Sequence, residues 1–204
     1  MDPGYKMAHH HNAFPTLIVE EPNFISEEEC NSLKKLIDYN KSYLLNHECL
    51  TNGKSSHLLS AELGSFTDNI LDKTNNSIKK RILEYAKDYA VCTGYSIKNT
   101  IDSSWFNIQY QDSILKEHTH PFSTISGILF IKCDNNSSPI VFHNPNPYIS
   151  IAVTKAKRQK STFELLSFNA IPKTLLLFPS WIKHGSNNIH NLSKERIVIS
   201  FNIK

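Results

Sequence analysis

The hydrophobic pattern changes its period once along the chain, close to Gly94. Upstream, apolar residues recur at three and four positions, the spacing of amphipathic helices. Downstream they fall into short runs broken by turn residues, the texture of a β-rich core. The first element is a brief strand-like run, Phe14-Pro15-Thr16-Leu17-Ile18-Val19-Glu20, closed by Pro22-Asn23. Ser26-Glu27-Glu28-Glu29 follows as a capping box, in which the Ser26 hydroxyl accepts from the Glu29 amide and the Glu29 carboxylate reaches back. Cys30, Leu33, Leu36 and Ile37 then mark the buried stripe of a helix. Residues 40–65 read as loops, with one short element around Leu58–Leu63. A second helix is predicted over residues 66–91, carried by Ile70, Leu71, Ile78, Ile82, Leu83, Tyr85, Ala86 and Tyr89, and Gly94 ends it.

Seven strands are predicted after Gly94: Ile101–Gln111, Ser123–Cys133, Pro139–His143, Tyr148–Thr154, Thr162–Phe168, Thr174–Phe178 and Arg196–Ile203. That number suits a small jelly roll of two sheets. The turns are Asn135-Asn136-Ser137-Ser138 and Asn144-Pro145-Asn146-Pro147, and Lys155–Lys160 reads as a solvated basic loop. The C-terminal strand is expected to pair inside the sheet. The fold class is therefore mainly β with supporting helices. It is divided into a flexible leader (1–12) and a single domain (13–204), whose N-terminal strand and helices (13–100) support a β core (101–204).

Composition narrows the function. At 204 residues, 40% hydrophobic and 20% charged, the chain has the make-up of an ordinary globular domain, and no apolar run approaches the ~20 residues of a membrane span. A net charge of +3 with no clustered basic face gives no reason to expect nucleic acid. Cys30, Cys49, Cys92 and Cys133 are scattered without a Cys-x-x-Cys pair, so they read as reduced thiols in a cytoplasmic protein.

The chemistry concentrates in Glu117-His118-Thr119-His120-Pro121, answered by Phe178-Pro179-Ser180-Trp181-Ile182-Lys183-His184. On an extended segment His118 and His120 leave the same face and can converge on one ion. His184, delivered by the apolar run Thr174–Phe178, is the natural third ligand. A His-x-His pair among ten histidines also arises by chance. The three adjacent histidines His9, His10 and His11 lie in the leader, where nothing positions them. His47, His57 and His190 fall in polar loops and receive no role, while His143 reads as a rim residue and Trp181 as a packing residue.

The order of these parts resembles the iron(II)- and 2-oxoglutarate-dependent oxygenases, especially their prolyl-hydroxylase-like branch. Phe24-Ile25-Ser26-Glu27-Glu28-Glu29-Cys30, Trp105–Tyr110, His118-Thr119-His120-Pro121 with Ile125-Ser126-Gly127, and Phe178–His184 with Glu195–Asn202 carry the likeness over most of the chain. The resemblance implies a double-stranded β-helix (jelly roll, cupin-like). It implies Fe(II) as metal, 2-oxoglutarate and O2 as co-substrates, and hydroxylation of an unactivated C–H bond. Carried over residue by residue, His118, His120 and His184 become the metal ligands, and Arg196 pairs with the far carboxylate of 2-oxoglutarate. The family usually places a carboxylate where His120 stands, and three histidines suit zinc, copper or nickel as well as iron. Phe130 stands near a position where related hydroxylases carry a tyrosine, which directs attention to Tyr110 and Asn107 as co-substrate contacts. The primary substrate implied is a protein side chain or a small molecule. Two other readings remain open at this point: a three-histidine metal dioxygenase that does not use 2-oxoglutarate, and a non-catalytic jelly-roll binding module.

Overall fold

The computed structural model describes residues 14–57, 69–149 and 163–204. Among the described residues the named strands pair antiparallel, in two sheets. The larger orders its strands β1 (Val19–Glu21), β8 (Leu175–Pro179), β5 (Ile125–Lys132), β10 (Glu195–Ile203), β4 (Ile101–Tyr110), β3 (Gly53–Ser55) and β2 (Leu45–Asn46). The smaller orders β7 (Leu165–Phe168), β6 (Ile140–His143) and β9 (His184–Gly185). The outer face of the large sheet carries the helices α1 (Glu27–Asn40) and α2 (Asn76–Thr93), and its inner face looks toward the small sheet. This is the expected double-stranded β-helix with supporting helices.

Alternation along the central strands sorts side chains between two cores. Ile125, Leu129 and Ile131 of β5, Leu175 and Leu177 of β8, and Ile197, Ile199, Phe201 and Ile203 of β10 pack toward the helices, with Leu33, Ile37, Ile78 and Ile82. The intervening Ile128, Phe130, Leu176, Phe178 and Val198 pack between the sheets against Ile140 and Phe142. Because both faces are covered, β5 and β8 read as continuous apolar runs. β10 keeps a different rhythm. Its outer positions are apolar, while its inner ones, Arg196, Val198, Ser200 and Asn202, are mostly polar and line a cavity. As expected, β10 lies inside the sheet, between β5 and β4.

The capping box forms as predicted, with the Glu29 amide donating to Ser26 Oγ at 3.1 Å and the Ser26 amide to Glu29 Oε2 at 2.9 Å. Glu29 also accepts from Arg81 of α2 at 2.9 Å, so the cap ties the two helices together. Gly94 ends α2 at φ 73°, a left-handed conformation that glycine adopts without steric cost.

The second helix starts about ten residues later than its periodicity suggested. Ile70–Lys73 form a separate 3-10 turn, and the Asn75 side chain accepts from the Ser77 amide to begin α2 afresh. The stretch read as loops contains a small hairpin, β2 and β3, that extends the sheet beyond β4. Of the predicted strand Tyr148–Thr154, Tyr148 lies in a turn and Ile149 is not strand; its remainder, the leader, Leu58–Leu63 and Lys155–Lys160 lie outside the described residues.

Candidate metal centre and co-substrate pocket

Two extended segments bring three imidazoles together. His118 and His184 face each other as an antiparallel pair, each amide donating to the other's carbonyl at 2.9 and 3.0 Å. His120, two residues on, is held by its amide donating to the Ser180 carbonyl at 2.9 Å. The ring centroids are 4.5 Å (118–184), 5.0 Å (118–120) and 5.2 Å (120–184) apart. One nitrogen from each ring lies within 4.8 Å of the others, close enough for one metal ion.

The hydrogen bonds also fix the tautomers. His118 Nδ1 lies 2.8 Å from the Lys116 carbonyl and His184 Nδ1 2.9 Å from the Ile182 carbonyl. A carbonyl oxygen only accepts, so both Nδ1 atoms carry the proton and both Nε2 lone pairs are left for a metal. Burial pushes all three imidazoles toward the neutral, ligating form: His118 is lowered, His184 is held well below the ordinary value, and His120 is brought to about 3. The donor set thus fits a divalent transition metal.

The residues just before two of the histidines brace the site from outside. Glu117 accepts from Lys183 Nζ at 2.5 Å, and its other carboxylate oxygen lies 3.0 Å from His143 Nε2, so the segments that bear His118 and His184 meet the end of β6. These contacts hold the Glu117 carboxyl below its ordinary range, chiefly through Lys183. His143 is therefore a brace for the ligand-bearing segments.

The three histidines open into a cavity of about 700 Å³. Along β4 its wall runs from Trp105, whose ring centroid lies 5.8 Å from that of His120, through Asn107 to Gln109. At that far end stands Arg196, the direct cross-strand partner of Gln109. Arg196 is only 2% exposed, its guanidinium lies 5.4 Å from the centroid of the Phe130 ring, and its Nη1 donates to Gln109 Oε1. Among the described residues no carboxylate pairs with it, and its Nε has no partner. A buried charge left so is costly, and each unmet buried donor costs about 1–3 kcal/mol. That end of the cavity therefore holds a buried positive charge with no described counter-charge.

Tyr110 departs from expectation. The alternation of β4 that points Trp105, Asn107 and Gln109 into the cavity turns Tyr110 to the opposite face, where it packs against the helix-side core. It is not among the residues that line the cavity. Asn107 does line the cavity, between the histidines and Arg196. Trp181 is half exposed and donates to the Tyr95 hydroxyl at 3.1 Å, so it packs at the surface and not in a core. Sequence reading passed over Gln109, although its parity with Asn107 places it on the same face. It also left out His47 and His57, which line the cavity; the His57 ring lies 4.6 Å from Trp105.

Comparison with known proteins agrees with this geometry. Residues 103–202, which carry every site residue considered above except His47 and His57, match the family described as "Putative 2OG-Fe(II) oxygenase". A prolyl-4-hydroxylase from Pseudomonas putida superposes at a TM-score of 0.60 with 9% identity, covering 93% of this chain and 92% of its own. HygX from Streptomyces hygroscopicus, solved with nickel, 2-oxoglutarate and hygromycin B, gives 0.55 with 9% identity, covering 92% and 82%. A prolyl hydroxylase from Trichoplax adhaerens, bound to a hypoxia inducible factor peptide fragment, gives 0.55 with 11% identity, covering 91% and 82%. No curated protein matches in sequence. The family match, on a double-stranded β-helix that carries a three-histidine cluster, indicates a metal-dependent oxygenase. Residues 103–202 match the 2OG-Fe(II) oxygenase family, a match that implies Fe(II) and 2-oxoglutarate as cofactors, and His118, His120 and His184 are grouped closely enough to hold the metal. No helix among the described residues is long and apolar enough to cross a membrane.

Proposed function

We propose that the protein hydroxylates an unactivated C–H bond of a protein side chain or a small molecule, with His118, His120 and His184 holding Fe(II) and Arg196 holding the far carboxylate of 2-oxoglutarate. The observation that carries this reading is the buried, acid-free guanidinium of Arg196 in the same cavity as three neutral imidazoles. A dianionic co-substrate between them supplies the charge that three neutral ligands do not, and an Arg fork fixes its orientation. Bound there, iron and 2-oxoglutarate supply the oxidation: O2 is consumed, 2-oxoglutarate becomes succinate and CO2, and a substrate C–H becomes C–OH.

The chain's own part is placement. The backbone bonds from the His118 and His184 rings hold Nε2 toward the metal, and the Glu117–Lys183 pair keeps the two segments in register. Asn107 lines the same cavity, on β4 between Trp105 and Gln109. The sheets on either side exclude water from the Arg196 end, which strengthens its attraction for a carboxylate. Relatives of this fold bind a peptide in one case and hygromycin B in another, which keeps both substrate classes in view. Four free cysteines accord with a reducing, cytoplasmic setting. The test is release of succinate from 2-oxoglutarate by the purified, Fe(II)-loaded protein. Turnover is expected in the wild type and lost in Arg196→Ala. A 2-oxoglutarate turnover that survives this substitution would remove Arg196 from the site.

A further inference from the structure

We infer that Gln109 is a second arm of the co-substrate carboxylate pocket, supplying a neutral amide donor beside the guanidinium of Arg196 and setting that guanidinium's orientation. The inference rests on the reading of Arg196 given above and extends it to a residue that the family likeness did not single out.

Gln109 and Arg196 face each other across β4 and β10. Both line the cavity, and both are nearly inaccessible, at 1% and 2% exposure. Arginine only donates, so the Gln109 atom that meets Arg196 Nη1 is the carbonyl Oε1. That contact commits the amide: its Nε2 is turned elsewhere, and it is buried without a partner. Arg196 Nε is buried without a partner as well. Two adjacent side chains that line one end of one cavity therefore each hold a buried, unmet donor, and no described acid answers them. A carboxylate has two oxygens with about four acceptor positions, enough to receive the guanidinium and an amide together. Phe130 lies against the guanidinium and offers no hydrogen bond, so it cannot take the amide's place.

The chain fits this role at the level of its pattern. On β4 the cavity-facing residues are Trp105 beside His120, Asn107 in the middle and Gln109 beside Arg196. A co-substrate that reaches from the metal to the guanidinium passes Asn107 and ends against Gln109. Gln109 is thus predicted to discriminate for a carboxylate at the far end of the 2-oxo acid, and to contribute little to the end that meets the metal.

The experiment measures anaerobic binding of 2-oxoglutarate and of 2-oxovalerate, which has a methyl group in place of the far carboxylate, by calorimetry on the metal-loaded protein. Wild type is compared with Gln109→Glu, Gln109→Met and Arg196→Met, each checked for folding by circular dichroism. Removing one hydrogen bond to a charged group should weaken 2-oxoglutarate binding by roughly 10- to 100-fold in Gln109→Met. Gln109→Glu should weaken it at least as much, because the new carboxylate occupies the guanidinium and repels the ligand. Affinity for 2-oxovalerate should stay within a few-fold of wild type in both. Unchanged 2-oxoglutarate binding in the Gln109 variants, or an equal loss for both ligands, overturns the inference. If Arg196→Met also leaves 2-oxoglutarate binding intact, the underlying reading of the pocket falls with it; if Arg196→Met alone loses binding, only the role of Gln109 falls. Gln109→Glu is nearly isosteric, so it carries the test should the Met variant not fold.

Discussion

Gly127 sits on the central strand β5 opposite Phe201 of β10, and replacing it with alanine sets two known effects against each other. Alanine restricts the unfolded chain and is worth about 0.5–1 kcal/mol in favour of the folded state where the backbone allows it. Here the new methyl would meet the Phe201 ring at 2.1, 2.5 and 2.8 Å, distances that real Cβ contacts do not show. Phe201 is fully buried and its strand is paired on both sides, so the ring has little room to yield. Overpacking of a tight core costs about 1–3 kcal/mol, and three short contacts place this case at the upper end. The clash should win. Gly127→Ala is expected to destabilise the protein by about 1–3 kcal/mol in urea unfolding, with a thermal midpoint lower by roughly 2–4 °C per kcal/mol for a domain of this size. Phe201→Leu, harmful by itself, should be much less harmful in the Gly127→Ala background, giving a coupling energy of about 1 kcal/mol or more. A Gly127→Ala protein more stable than wild type would mean that Gly127 and Phe201 do not face each other, and the register of β5 on β10 would be wrong.

Two further outcomes are expected. Tyr110→Phe should leave 2-oxoglutarate affinity unchanged by calorimetry, because Tyr110 faces the helix-side core; a tenfold loss would return it to the pocket. Arg81, followed by the Ser26 cap, holds the Glu29 carboxyl below its ordinary value of 4.5, so between the folded and unfolded values the unfolded chain binds more protons. The stability Glu29 contributes is therefore complete above about pH 4.5 and is lost as pH falls through the lower folded value. Acid titration of urea midpoints should show a shallower fall for Glu29→Gln, and identical slopes would refute the assignment.

The parts of the fold written in local chemistry could be read directly. The Ser26–Glu29 box and Gly94 marked helix ends because capping needs only neighbouring residues. The His118-Thr119-His120 pair declared a shared face because a strand alternates every two residues. What required tertiary structure was less visible. Ile70 and Leu71 continue the helical period of α2, yet they belong to a separate turn, since the Asn75 cap interrupts the helix between them. The β2 and β3 strands, two and three residues long, carry too little pattern to announce themselves and exist by pairing along the edge of β4. Tyr110 and Gln109 differ by one residue, and only the placement of β4 decides which of them reaches the cavity. Glu117 was legible as part of the motif, but its contact with Lys183 depends on the pairing of His118 with His184.

The central claim is that three neutral histidines and a buried arginine form one site for iron and 2-oxoglutarate. Anaerobic titration of the protein with Fe(II) and 2-oxoglutarate, watched for the visible metal-to-ligand charge-transfer band, tests it most directly. A band that saturates at one iron per chain and is lost in His184→Ala is the expected result. A folded protein that takes up iron and 2-oxoglutarate without developing the band would contradict it.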